Sequence, residues 1–222
     1  MKRRPLLPAM ALATFGIYSP WAWGRTAYQT FLTAVVRDDF VTVRNLLRQG
    51  MDPNTVDEQG RPVLVRALQQ DALRVVHELM RVPGIDINAQ SPQAETPLML
   101  AAIRGHMDLV RVLIFMEARI NQPGWTPLHY AASAATEDSV QIAALLLEHH
   151  AFIDALSPNR STPLMLAAQY GSEGMVRLLL RAGADVQLRN QLGLSAVDFA
   201  RRSERAYMVR LLQAAQAPKS VR

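Results

Sequence analysis

Apolar side chains recur along this chain of 222 residues with helical rather than strand periodicity. In Leu109-Val110-Arg111-Val112-Leu113-Ile114 and again from Met175 to Leu180 they fall at i, i+3 and i+4, the pattern of a helix with one buried face. Ahead of each run stands a shorter segment that begins Thr-Pro-Leu, carries an Ala-Ala pair and closes on Gly105 or Gly171. Each residue type there has a separate structural job. Thr caps a helix with its hydroxyl, Pro sits in the first turn where its missing N–H costs nothing, and Gly ends a helix because left-handed backbone is cheapest for it. The spacing predicts pairs of short helices. A single pair cannot bury its own apolar face, so neighbouring pairs must stack.

The first 24 residues follow a different pattern. Lys2-Arg3-Arg4 precedes the apolar run Pro5 to Tyr18, and Ala22 and Gly24 are small residues spaced two apart. A basic start, an apolar centre and a small-residue pair predict a secretory signal peptide over 1–24, cleaved after Gly24. Its 14 apolar-centre residues fall short of the roughly 20 that a bilayer-spanning helix needs. An uncleaved membrane anchor is the alternative, and Arg3-Arg4-x-Leu6-Leu7 leaves a twin-arginine export route open. Either export route places the mature protein in the periplasm or outside the cell.

The helix pairs repeat. Thr96-Pro97-Leu98-Met99-Leu100-Ala101-Ala102 returns as Thr126-Pro127-Leu128-His129-Tyr130-Ala131-Ala132 and as Thr162-Pro163-Leu164-Met165-Leu166-Ala167-Ala168. With weaker copies included, the shared position is Phe31, Leu64, Leu98, Leu128, Leu164 and Val197, at spacings of 33, 34, 30, 36 and 33. A 33-residue unit opening with this phrase resembles the ankyrin repeat, a β-turn and two helices whose signature is T-P-L-H-x-A. The best copy runs from Asn159 through Gly171 to Val186, and the resemblance covers Phe31 to Ala215. It implies an all-α repeat solenoid of about six stacked helix-turn-helix units with β-turn fingers. The expected organisation is an N-terminal capping repeat over 25–57, four central repeats over 58–190, a C-terminal capping repeat over 191–215 and a flexible tail from 216 to 222. The first copy lacks Thr-Pro-Leu and carries charge, and the last turns polar after Ala200, as terminal caps should. The 30 and 36 spacings mark an irregular junction. The finger before Trp125 is about three residues short, and the segment Ser133 to Ser139 is three residues long in excess.

Composition narrows the function. With no cysteine, thiol redox chemistry, disulfides and thiolate metal sites are excluded. The +5 charge falls once Lys2, Arg3 and Arg4 leave with the leader, since 21 basic against 19 acidic residues make +2, and the Arg residues are interspersed with acids. No nucleic-acid partner is expected. His129 and His106 occupy motif positions and are expected to bond neighbouring backbone and turns, while His149 and His150, adjacent on a helix end, do not converge on one metal. The sequence contains no phosphate-cradling glycine loop, no H-E-x-x-H and no G-x-S-x-G. No enzyme activity, cofactor or metal is expected.

What remains is a surface. In the family that this chain resembles, partners are held by the finger tips and the exposed side of the first helices, one concave face. Position by position, that face would comprise Arg61, Gln69, Gln70, Glu95, Ile103, Arg104, Trp125, Ser133, Ala134, Ser161, Gln169 and Tyr170. Trp125 and Tyr170 are the aromatic anchors, with Tyr130 and Met116 as further members or as core. Partial burial against the short finger is the alternative for Trp125. The expected function is a monomeric, non-enzymatic module that binds a protein partner and touches no membrane once the leader is removed. Some exported bacterial members of the family are linked to peroxide defence, a family association with stress defence that names no pathway for this chain. A host-directed effector and a tethered structural adaptor with uncleaved leader are the other readings.

Overall fold

The Thr-Pro-Leu phrases do open helices. Thr96 Oγ1 accepts the Met99 amide at 3.3 Å and Thr162 Oγ1 accepts that of Met165 at 3.4 Å. The Met sulfurs reciprocate, each accepting the Thr amide at 3.4 Å, so two orphan donors at each helix start are satisfied. The computed structural model describes residues 20–216 and contains twelve helices within them. They form six successive pairs: α1 (Pro20–Val36) with α2 (Phe40–Arg48), α3 (Val63–Gln69) with α4 (Leu73–Met80), and α5 (Pro97–Arg104) with α6 (Met107–Phe115). The series continues with α7 (Pro127–Ser133) and α8 (Ser139–Glu148), α9 (Pro163–Gln169) and α10 (Glu173–Arg181), and α11 (Ala196–Arg202) and α12 (Ala206–Gln216). Among the described residues the β content is a single isolated bridge, Val56 to Pro62. The basic start and apolar run of the leader, and the tail from 217 onward, lie outside the described residues.

The sequence period is the packing period. Phe31, Leu64, Leu98, Leu128, Leu164 and Val197 are all buried, and Leu79, Leu113, Leu146, Leu179 and Leu212 on the second helices are fully so. First helices stack in chain order, α1 on α3 through to α9 on α11, and Ala101-Ala102, Ala131-Ala132 and Ala167-Ala168 at 0% exposure let their backbones approach. Each fully buried leucine contributes about 2 kcal/mol relative to exposure, which only stacking makes available.

Within a pair the chain turns through a left-handed residue: Asp38 (φ 54°), Asp71 (φ 59°), Gly105 (φ 77°) and Glu204 (φ 56°). Gly105 fits the expectation, and Gly171 departs from it. Its φ is not positive; it is glycine because a Cβ there would lie 2.5 Å from the Ala132 carbonyl oxygen of the preceding repeat. Close approach, not helix termination, selects it.

Fingers are tied to one another by a side-chain ladder. Asn54, Asn88 and Asn121 use Oδ1 to accept the amides of Asp86 (2.8 Å), Arg119 (2.7 Å) and Phe152 (2.9 Å). The Nδ2 groups of Asn54 and Asn121 donate to the carbonyls of Gly84 and His150. On the fourth rung Asp154 accepts the Asp185 amide at 3.1 Å and has no amide group with which to donate. Burial, and secondarily the Asp185 charge, raises its pKa. The irregular junction lies where the spacing put it. Eleven residues, 116–126, join α6 to α7 against fourteen, 149–162, between α8 and α9, and five residues, 134–138, join α7 to α8 against two, 105 and 106, between α5 and α6.

Candidate interaction groove

The short finger leaves an opening over the first helices of the third, fourth and fifth pairs. It encloses about 350 Å³ and is lined by Glu95, Ile103, Trp125, His129, Tyr130, Ser133, Leu166 and Tyr170. The finger preceding α5 positions Glu95: its amide donates to Ser91 Oγ at 3.2 Å and its carbonyl accepts the Ser91 amide at 3.0 Å. Ile103 stands on the last turn of α5, Tyr130 and Ser133 on α7, and Tyr170 follows α9 with 57% of its surface exposed. Trp125, at the root of the short finger, is half-buried and meets the His129 ring edge-on at 5.4 Å between centroids. Trp125 is thus partly buried, as the alternative reading had it, and it also lines the groove.

His129 supports this wall from beneath. The Thr126 amide at 3.2 Å and hydroxyl at 2.9 Å both meet Nδ1, which makes that nitrogen the acceptor and leaves the proton on Nε2. Nε2 then donates to the Ser161 carbonyl of the next finger at 3.0 Å. Burial drives its pKa down to about 4, so the ring is neutral at physiological pH. It is a strut between adjacent pairs.

Five of the surface residues expected from the sequence line the groove: Glu95, Ile103, Trp125, Ser133 and Tyr170. Gln69, Arg104 and Gln169 end the first helices α3, α5 and α9, Gln70 follows α3, and none of the four lines the groove. Gln69 Nε2 donates to Glu95 Oε2 at 2.9 Å, and Arg104 Nη2 donates to the Gln69 carbonyl at 2.6 Å. Arg61 is committed within its own finger, paired with Asp57 and bonded to Gln59. Two expectations are corrected. Ser161 is only 1% exposed, with its amide held by Ser157 and its carbonyl by His129, because the residue before the Thr cap is pinned under the neighbouring helix. Ala134 is 2% exposed, because it is the first residue after α7 and its amide is still bonded to the Ala131 carbonyl at 3.2 Å, which holds it against the helix end. Met116 packs half-buried against the core.

Tyr130 and Leu166 are groove members that the carried-over surface omitted or left open. Tyr130 donates to Glu95 Oε1 at 3.2 Å, and burial, followed by the Glu95 charge, raises its pKa. Their motif positions read as core, and only the missing finger residues hinted that this stretch would be uncovered. Among the described residues no three His, Cys, Asp or Glu side chains gather as a metal site would require, and no helix is long and apolar enough to cross a membrane.

The sequence profile of a family described as ankyrin repeats in three copies matches residues 71–157 and 134–221. The chain belongs to the ankyrin-repeat family. A similar relative is the ankyrin repeat and SAM domain-containing protein 6 of Rattus norvegicus, 32% identical over 176 residues, which are 78% of this chain and 16% of that protein. The transient receptor potential cation channel subfamily A member 1 of Homo sapiens is 26% identical over 161 residues, 69% of this chain and 14% of the channel. The ankyrin repeat protein YahD of Escherichia coli (strain K12) is 27% identical over 194 residues, 69% of this chain and 96% of YahD. The chain thus spans a small fraction of the animal relatives and nearly the whole of the bacterial one. Ankyrin repeats are protein-interaction modules, and the groove crosses three of them, the third to the fifth.

Proposed function

We propose that this ankyrin-repeat protein is a non-enzymatic adaptor that grips a partner protein through the groove of repeats three to five. The observation that carries the reading is that the exposed Tyr170 and the half-buried Trp125 line one opening together with Ile103 and Leu166. Aromatic anchors in such openings supply most of the energy of protein interfaces. Neither ring belongs to the buried core that joins the repeats, so their presence there favours recognition over folding.

Export follows from the leader and is part of the proposal. Cleavage after Gly24 removes the first five residues of α1 and keeps the contacts that seat the capping repeat: Tyr28 donating to the Val56 carbonyl at 2.9 Å, Gln29 to Glu58 at 3.0 Å, and Phe31 at 0% exposure. The mass of the exported form tests this step directly. A mature chain beginning at Arg25 supports it, and a full-length membrane-bound species replaces it with the tethered adaptor.

The groove is tested by Tyr170→Ala. A partner captured by the protein from the exporting cell should lose about 30-fold in affinity to the variant, about 2 kcal/mol, while thermal unfolding moves by about 1 °C or less. Unchanged affinity would place the binding surface elsewhere.

A further inference from the structure

The groove carries one charge. Of its eight lining residues only Glu95 is charged, since His129 is held neutral. Both Glu95 carboxylate oxygens are engaged by neutral donors, Gln69 Nε2 at 2.9 Å and the Tyr130 hydroxyl at 3.2 Å, and no ion pair to Glu95 occurs among the described residues. Arg104, the nearest base in sequence, is turned instead to the Gln69 carbonyl. Glu95 is half-buried and has no cationic partner, so an incoming cation would meet an unpaired negative charge at short range. Around it stand the rings of Trp125, Tyr130 and Tyr170, whose π faces attract cations. Elsewhere the chain already uses that pairing, with Arg44 and Arg74 each 5.2 Å from the centre of the Phe40 ring.

Resting on the groove as the interaction face, we propose that it is a receptor for an arginine side chain presented by an extended segment of the partner protein. The planar guanidinium suits it better than an ammonium. Its faces stack on aromatic rings, it is more weakly hydrated, and its forked donors fit a carboxylate whose two oxygens each keep a lone pair free. Ile103 and Leu166 offer apolar surface for the arginine stem and for apolar residues beside it. Glu95 is pre-positioned by the Ser91 bonds and by Gln69, so little ordering is required when the cation arrives.

The test is a random heptapeptide display library panned on the full-length protein, with the enriched peptides remeasured as synthetic probes. The expected result is enrichment of sequences with an arginine beside apolar residues. Their affinity should fall by about tenfold or more with Glu95→Gln, and equally when the arginine is replaced by neutral citrulline. Glu95→Gln keeps the shape and one acceptor oxygen, for Gln69, while its new amide group can donate to the Tyr130 hydroxyl oxygen, and an unchanged melting temperature verifies that the repeats remain folded. Enriched peptides that lack arginine but are lost with Tyr170→Ala would overturn the cation receptor and leave the groove as the interaction face. No enrichment, or peptides indifferent to both substitutions, would overturn the groove as well.

Discussion

Two glycines three residues apart should respond in opposite directions to the same added methyl group. At Gly171 an alanine Cβ would lie 2.5 Å from the Ala132 carbonyl oxygen, 2.9 Å from Ala167 Cα and 3.1 Å from the Ala167 carbonyl oxygen. All three are backbone atoms, and Gly171 is itself fixed: its amide donates to Ala167 at 2.9 Å and its carbonyl accepts Arg205 Nη2 at 2.6 Å. Relief requires repeats four and five to part and the end of α9 to shift away from Ala167, so Gly171→Ala should cost about 2–3 kcal/mol, the upper range for overpacking. At Gly174, in the first turn of α10, the nearest atoms are Val140 Cγ2 at 3.5 Å and Ser172 Oγ at 3.6 Å, ordinary contacts. There the methyl group mainly restricts the unfolded chain, and Gly174→Ala should stabilise by about 0.5 kcal/mol. Thermal and urea unfolding followed by circular dichroism read both, at roughly 2–4 °C per kcal/mol for a chain of this size. Melting should fall by about 4–12 °C for Gly171→Ala and rise by about 1–2 °C for Gly174→Ala. A Gly171→Ala protein as stable as the parent would refute the close-approach account of that glycine.

Other substitutions test the joints between repeats. His129 has an ordinary pKa of 6.5 and a folded value of about 4, so the unfolded chain binds a proton that the folded one refuses; stability is complete above pH 6.5 and should decline by about 3 kcal/mol as pH falls toward 4. Urea titrations at pH 7 and 4.5 should show this loss in the parent and a smaller one in His129→Met, which installs the residue used at the same position in Met99 and Met165. Asp154→Asn should stabilise the protein at pH 7 by about 0.5–1 kcal/mol, measured in the same way, because it removes a half-buried carboxylate whose pKa is raised and supplies the amide that Asn54 and Asn121 use to reach the next finger's carbonyl. If Asp154→Asn is less stable than the parent, the ladder does not extend to its fourth rung.

The fold was legible because a repeat writes the same instruction several times. A single Thr-Pro-Leu could cap any helix, but its recurrence at 33-residue steps fixed the unit, and even the short finger and long turn were visible as 30 and 36. The groove was less legible. Ser161 and Ala134 were expected outside because motif positions were transferred without the neighbouring repeat that covers them, and burial by a neighbour is a property of two units rather than one. Tyr130 was ambiguous for the converse reason: its motif position faces inward, and its exposure depends on three residues missing from the preceding finger. Gly171 stood at a helix end, where chain termination was the simpler explanation, and only the distance to Ala132 distinguishes that from a clash across a repeat boundary.

The groove is flanked by repeats one and two on one side and repeat six on the other. In a linear array each unit is held only by its neighbours, so opening starts at the ends and works inward. Opening of repeats one, two or six therefore leaves the groove intact, a form of insulation that follows from its place over repeats three to five. A ligand touching both Glu95 and Tyr170 clasps three units that otherwise meet only pairwise. Occupancy would act as a staple, raising the melting temperature by mass action in proportion to the logarithm of ligand concentration. It would also make the middle of the array unfold as one block.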